Sequence, residues 1–422
     1  MNSVHLFVSG EPSGAERHCK AGIATGFPFP AEPVIAAGMD GRIIHPAGIR
    51  FAALYGAFYL AFGAFLPYFP VWLETRGLSA ELIGLALAGG MIGRTVLAPV
   101  GAAWMDKGSR RRDAVIGFAW AGLAGFLVVA PFRDTALLTI LAAIAGALFS
   151  GQIPLMDAFA AWSSRREGFA FGPQRAVGSA TFIIGNIGAG ALIGQFGGEA
   201  ALVWMTAGAA LTVAASYFIP PGLHARTGTR PEPIPLRLLL TQPFMFALAA
   251  SAMIQASHGF YYGFSALSWQ AQGIAAETVG LLWSTGVIAE IVFLALTARF
   301  LRRLKPGQLM LIAAIAAIAR WSLTALAPPL AMLFVLQTMH ALTFSSAYLG
   351  ILRFATEHAP DRLQASTQAA NSALSGGIAL ATTSALSGPL YHAFGTAGFA
   401  FMAIPAAAGG VFSILMLRMR TP

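Results

Sequence analysis

Charge is scarce in this chain. Of its 422 residues only 10% are Asp, Glu, Lys or Arg, against about 25% in an average globular protein. A soluble fold of that length would be expected to form two or three domains, and it could not cover its surface with so few charges. There is one cysteine, Cys19, which excludes a disulfide framework and a Cys-based metal site. No HxxxH spacing brings histidines together, so no metal is expected. No GxxxxGK followed by Ser or Thr occurs, which excludes a phosphate loop for ATP-driven work. No cofactor is expected. No nucleophile–base pair stands out, so the chain reads as something other than an enzyme. The net charge of +9 has no basic domain outside the apolar runs to carry it, and nucleic-acid binding is excluded with it.

What is there is apolar. Hydrophobic residues make up 57% of the chain, and the mean hydropathy is +0.69. A spanning helix needs about 20 such residues, and twelve stretches qualify: 51–73, 80–104, 113–131, 136–162, 175–196, 200–219, 243–270, 276–301, 306–326, 330–356, 365–393 and 396–417. They are continuous rather than alternating, which excludes a membrane β-barrel. The fold class is therefore an all-α integral membrane protein of twelve helices. Gly-rich runs at 185–190 and 375–377 read as places where helices come close.

The cations are one-sided. Connectors after even-numbered helices carry Lys107, Arg110, Arg111, Arg112, Arg165, Arg166, Arg226, Arg230, Arg237, Arg302, Arg303, Lys305 and Arg362, and Arg418 and Arg420 follow the last helix. Connectors after odd-numbered helices carry only Arg76 and Arg133. By the positive-inside rule both termini lie in the cytoplasm. The longest polar break, with five prolines, divides the chain into a first half at 51–219, a linker at 220–242 and a second half at 243–422. Each half repeats a basic connector between its second and third helices, MDKGSRRR and RFLRRLKPG, and paired halves are the organisation of many secondary transporters. Residues 1–50 are rich in Pro and Gly and have no signal-peptide core. They read as a disordered tail, or translation starts at Met39 and 1–38 is an extension.

Several segments carry a family resemblance: FLPYFPVWLETRGLS at 65–79, PVGAAWMDKGSRRR at 99–112, PLMDAFAAWSSRREGFAFGPQRAVGSATF at 154–182, IQASHGFYYGFSALSWQAQGI at 254–274, GLLWSTGVIAEI at 280–291 and LQTMHALTFSSAYL at 336–349. Together they resemble the major facilitator superfamily, and within it the phenylpropionate permease-like group. Helices 4 and 5 are also similar to lactose permease-type symporters through Asp157, Ala158, Phe159, Ser164, Arg165, Arg166, Phe169, Phe171, Gly172 and Arg175. The resemblance implies a major facilitator fold of two six-helix halves in a bacterial inner membrane. It implies secondary active transport by alternating access with proton coupling, and a small organic acid such as phenylpropionate as solute. Proton–sugar or nucleoside symport and drug efflux are the alternatives. Partners would be the solute, protons and the lipid bilayer, with a monomer as the default.

The resemblance also nominates residues. Asp157 and Arg175 match the acid and Arg of the symporters' substrate site. Glu290, Arg320 and His340 fall where those symporters have a Glu, an Arg and a His on helices 8, 9 and 10, but Thr343 stands where the relatives have an acid. In the helix 2–3 motif, Asp106, Lys107, Arg110 and Arg111 match a gating segment, while Ala102 and Ser109 replace its usual glycines.

From the residues alone, an ionisable group inside a membrane helix costs about 2.5–3.5 kcal/mol on insertion scales and is a functional candidate. Arg94, Asp157, His258, Glu290, Arg320 and His340 qualify, with Arg175 at a helix edge. Glu290 lies where low dielectric disfavours the anion, so it could exchange a proton or be buried against an Arg. Arg320 needs an anion or a wet cavity. Gln337, His340 and Phe344 share one helical face, and Gln255, His258 and Tyr262 another. Either face could line a cavity, or each His could bond a neighbouring helix. Arg94 reads as a gating or structural residue. Tyr55, Tyr59, Tyr68, Trp72 and Trp269 could line a cavity or form an interfacial belt.

Overall fold

The computed structural model describes residues 45–107, 110–223, 235–360 and 363–419. The tail reading of 1–44, residues 224–234 of the central linker with Arg226 and Arg230, and Ser109, Arg362 and Arg420 lie outside the described residues. Among the described residues the chain is helical throughout, with one isolated bridge, Arg110 to Leu223.

Twelve passes follow one another. The first six are α1 (Pro46–Thr75), α2 (Ala80–Lys107), α3 (Arg111–Val129), α4 (Thr135–Glu167), α5 (Phe171–Phe196) and α6 (Glu199–Ser216). The second six are α7 (Gln242–Ala256 and Gly259–Ala271), α8 (Ala276–Phe300), α9 (Pro306–Thr324), α10 (Leu330–His358), α11 (Gln364–Ser372, Ala373–Ala379 and Leu380–Phe394) and α12 (Gly395–Met402 and Ala403–Arg418). Ten unbroken helical stretches are long and apolar enough to cross a membrane. The count reaches twelve for two reasons. α7 is interrupted, so neither piece qualifies alone. The apolar stretch Ser366–Arg418 would run about 80 Å as one helix, well over the ~30 Å hydrocarbon core. It turns back at Gly395, where φ is +53°, a conformation that favours glycine. Val96, Val203, Leu296 and Ile404 are more than 60% exposed on the outward faces, as side chains against lipid should be.

Four irregularities shape the interior. Pro154 cannot donate to the Ser150 carbonyl and clashes with it, so α4 kinks between Ser150 and Gln152. α7 breaks at Ser257–His258. Its freed carbonyls are met by side chains: the Ser257 hydroxyl donates to Ile254 O (2.6 Å), and the Thr383 hydroxyl donates to Ala256 O (2.7 Å). Such backbone is tolerated at membrane depth only where protein re-satisfies it. Finally α10 and α11 each widen into a π-helical segment, Ala341–Ser345 and Ala373–Ala379, a form that frequently marks functional positions.

The two halves touch along α5–α8 and α2–α11. Besides Thr95 of α2 against Gly377 of α11, the tight contacts lie at the ends carrying the odd-numbered connectors. There Gly190 packs on Ala276 and Tyr68, Gly280 on Asn186, and Gly388 on Ala80 and Glu81. Tyr68 donates from α1 to Ala276 O at the start of α8 (2.8 Å), and Glu81 of α2 contacts His392 of α11. On the other side, among the described residues, the N-terminal piece of α11 has at most a sparse contact with α2.

Candidate functional site

A cavity of about 70 Å³ lies between the halves, room for several waters. One wall is Tyr59, Phe62, Leu66, Arg175, Ser179 and Phe182, from α1 and α5. The other is Tyr261, Tyr262, Trp283, Val287, Glu290, His340 and Phe344, from α7, α8 and α10. The α8 members fall at i, i+4 and i+7, one helical face. Aromatic rings dominate both walls, and the ionisable groups facing the space are Arg175 on one side and Glu290 and His340 on the other.

In the first half Asp157 and Arg175 come together as the motif implied. Arg175 Nε lies 3.5 Å from Asp157 Oδ1, and both side chains are buried. The Tyr55 hydroxyl donates to the same carboxylate oxygen at 2.8 Å. Arg175 Nη2 donates to the Tyr59 hydroxyl at 2.5 Å, and its guanidinium lies over the Tyr59 ring at 4.1 Å. Asp157 and Tyr55 do not face the cavity; they hold Arg175 from behind. Arg175 Nη1 is buried without a partner.

In the second half Glu290, Arg320 and His340 also meet, but in a different order from a direct Glu–Arg pair. His340 stands between the other two. Arg320 Nη1 donates to His340 Nδ1 at 2.8 Å, and His340 Nε2 lies 3.7 Å from Glu290 Oε1. A guanidinium can only donate, so Nδ1 is the acceptor and Nε2 carries the hydrogen toward Glu290. Arg320 Nη2 donates to Gln337 Oε1 (2.9 Å), which also receives the Tyr261 hydroxyl (3.1 Å). The Arg320 guanidinium is clasped between the rings of Tyr261 (4.8 Å) and Trp321 (4.5 Å). It is therefore screened from the cavity and acts through His340.

Thr343 replaces the acid of the symporter pattern with a bridge. Its hydroxyl receives Arg320 Nη1 (3.3 Å) and lies 3.0 Å from His258 Nε2. His258 Nδ1 is 3.1 Å from Ile254 O, which makes Nδ1 the donor of the neutral ring. His258 is wholly buried and reaches the site through Thr343, by stacking on Tyr262 at 5.9 Å, and by edge contacts with the rings of His340 at 5.5 Å and Phe344 at 6.2 Å. The expected Gln255–His258–Tyr262 face is cut by the break in α7, which leaves Gln255 out of this cluster. The Gln337–His340–Phe344 face is present, with His340 stacked on Phe344 at 5.5 Å. Tyr261, Trp283, Ser345, Ser179 and the bridging role of Thr343 were not expected from sequence.

Tyr68, Trp72 and Trp269 are fully buried rather than forming an interfacial belt. Trp72 donates to Glu199 (3.0 Å), which also holds Arg76 (2.5 Å). The proposed gating segment stays within the first half: Asp106 is 3.8 Å from Arg111, which covers the Trp162 ring at 4.8 Å. Arg110 pairs by backbone with Leu223, and Lys107 is exposed. Arg94 reaches across the halves, its Nη2 donating to Gly376 O at 3.0 Å.

A twelve-helix bundle in two halves, with a buried ionisable cavity at their interface, is the architecture of a carrier. The chain belongs to the MFS_1 like family, whose model matches residues 49–403, and it is a multi-pass membrane protein and a secondary transporter. It is 31% identical to the probable 3-phenylpropionic acid transporter of Escherichia coli (strain K12) over 363 residues, 85% of this chain and 95% of that protein. It is 25% identical to the maltose permease of Geobacillus stearothermophilus over 344 residues, covering 78% of this chain and 84% of the relative. Crystal structures of the nucleoside transporter NupG and of a mutant of it match the fold, each with a TM-score of 0.73 at 16% identity, over 89% of this chain and 100% of the other.

Proposed function

We propose that this transporter moves a small aromatic carboxylate of the phenylpropionate type together with a proton, by alternating access. The observation that carries this is the cavity's charge layout: Arg175, whose buried Nη1 has no partner, lines an aromatic-walled space whose opposite wall presents Glu290. A solute carboxylate would complete the guanidinium with a charge-assisted hydrogen bond, and its ring would lie among Phe62, Phe182, Trp283 and Phe344. An ionised Glu290 would repel that anion, whereas a protonated one would not, so proton and solute favour each other's binding. Arg320 orients the His340 Nε2–H at Glu290 and is a positioning residue. Likeness to the phenylpropionic acid transporter supports the same substrate class. A sugar is supported less, because Asp157, the first-half acid a sugar hydroxyl would need, is already engaged by Tyr55 and Arg175.

With both termini in the cytoplasm of a bacterial inner membrane, the face left open by the helix contacts is the cytoplasmic one. The test is uptake into proteoliposomes under an imposed pH gradient, across aromatic acids, sugars and nucleosides. Accumulation of 3-phenylpropionate, lost in Arg175→Gln with normal insertion, is expected. Accumulation of maltose or uridine in its place would refute the substrate class.

A further inference from the structure

Arg94 is a cation without a carboxylate. Arg175 has Asp157 at 3.5 Å, Arg76 has Glu199 at 2.5 Å and Arg111 has Asp106 at 3.8 Å. Arg320 is linked to Glu290 through His340. Among the described residues no acid lies within 4 Å of Arg94, and its guanidinium donates to one backbone carbonyl, Gly376 O. That bond uses one of five guanidinium N–H groups. The remaining donors are not sealed in apolar packing, since none of them is a buried orphan and the side chain is only partly buried. A guanidinium that cannot lose its charge, set midway along a membrane helix, needs water or an anion.

Its position says which anion. On α2, Arg94 lies ten residues past Gly84, where the helix closes on Ser384 of α11, a distance of about 15 Å along the axis. It therefore sits beyond the contact at Gly84, beside Thr95, which packs on Gly377 of α11, toward the side of the even-numbered connectors. The carbonyl it holds belongs to the π-helical segment of α11, so the guanidinium is suspended between the two halves.

We propose that Arg94 is a second anion station, which receives the solute carboxylate between the cavity and the even-connector face. This rests on the carboxylate reading above. The carboxylate passes from Arg175 to Arg94, or the reverse, and so never crosses the apolar stretch without a countercharge. Closing the even-connector side extends the contact of α2 and α11 past Thr95 and Gly377 and removes the station.

The test uses the full chain in proteoliposomes, with 3-phenylpropionate as probe and 3-phenylpropionamide as its neutral competitor. Half-saturation is measured separately from each face. Arg94→Gln keeps an amide to donate to Gly376 O and loses only the charge. It should raise half-saturation for the acid at the even-connector face about tenfold, the scale of one charge-assisted hydrogen bond. The other face, and inhibition by the amide, should hardly change. Arg94→Cys in a Cys19→Ser background should regain even-face affinity when modified with a cationic thiol reagent and not with a neutral one. Unchanged even-face half-saturation, an equal rise at both faces, or rescue by the neutral reagent would overturn the station while leaving the carboxylate reading intact. A wild-type protein that does not prefer the acid to its amide would overturn both.

Discussion

Glu290 is within reach of two groups whose hydrogens point at its carboxylate, the Nε2–H of His340 at 3.7 Å and the hydroxyl of Ser345 at 3.4 Å. Neither contact is tight, so the carboxyl can gain and lose a proton without dismantling the site. Glu290→Gln is the permanently protonated mimic. It should exchange 3-phenylpropionate in counterflow and fail to accumulate it against a gradient; normal uphill accumulation would rule out Glu290 as the coupling group. Thr343 offers a second residue-scale test. Thr343→Val removes the oxygen that joins His258 to Arg320 and leaves a buried Arg320 donor and the His258 Nε2 acceptor without it, at a cost of about 1–3 kcal/mol. Melting of the purified protein should fall accordingly, and Thr343→Ser should restore it; equal stability of the Val variant would show that the bridge is not maintained. The ionisable residues of this cluster were legible in the sequence because a charge interrupts an apolar run. Thr343, Ser345 and Ser179 were not, because small hydroxyl residues recur throughout these helices and commonly bond their own backbone, as Thr212 and Ser413 do here.

Among the elements, α5 and α8 meet where neither has a side chain to spare. A Cβ on Gly280 would come within 2.4 Å of Asn186 O, and one on Gly190 within 2.6 Å of Ala276 O. Backbone at those distances cannot give way as a flexible side chain could. Gly280→Val should therefore wedge the halves apart at the odd-connector side while leaving each half folded. A cysteine placed at Leu66, on the cavity wall, should then react several-fold faster with an impermeant maleimide from that side. Unchanged protection would mean that α5 and α8 do not form the closure. The lengths of the apolar runs located these helices to within a few residues, and most of the differences have local causes. α4 continues to Glu167 because Arg165 and Arg166 favour the negative end of a helix and Gly168, at φ +75°, ends it. The break in α7 was not legible. Gly259 within an apolar run is ordinary for a membrane helix, and what stabilises the interruption is remote in sequence, at Thr383 and Trp321.

For the whole molecule, the charge bias along the sequence and the closure between the halves answer different questions. The bias of Arg and Lys predicts which ends face the cytoplasm. Reporter fusions after Arg112, Thr227 and Arg420 should all report a cytoplasmic location, and an external report at any of them would break the twelve-pass count. Which side is closed depends on contacts between residues some 200 positions apart, such as Tyr68 and Ala276, and no local pattern encodes it. The proposed site then fixes the energetics of the full cycle. One carboxylate carried with one proton on Glu290 moves no net charge. The membrane potential, worth about 2.3 kcal/mol per 100 mV for each charge moved, should contribute nothing. The pH difference should contribute all of the drive, about 1.4 kcal/mol or tenfold accumulation per pH unit. Proteoliposomes with the potential clamped by valinomycin and potassium separate the two. Accumulation of 3-phenylpropionate should follow the pH gradient at zero potential and vanish when only an interior-negative potential is imposed. Accumulation driven by potential alone would require more than one proton per carboxylate, or a neutral solute, and Glu290 could not then be the sole coupling group.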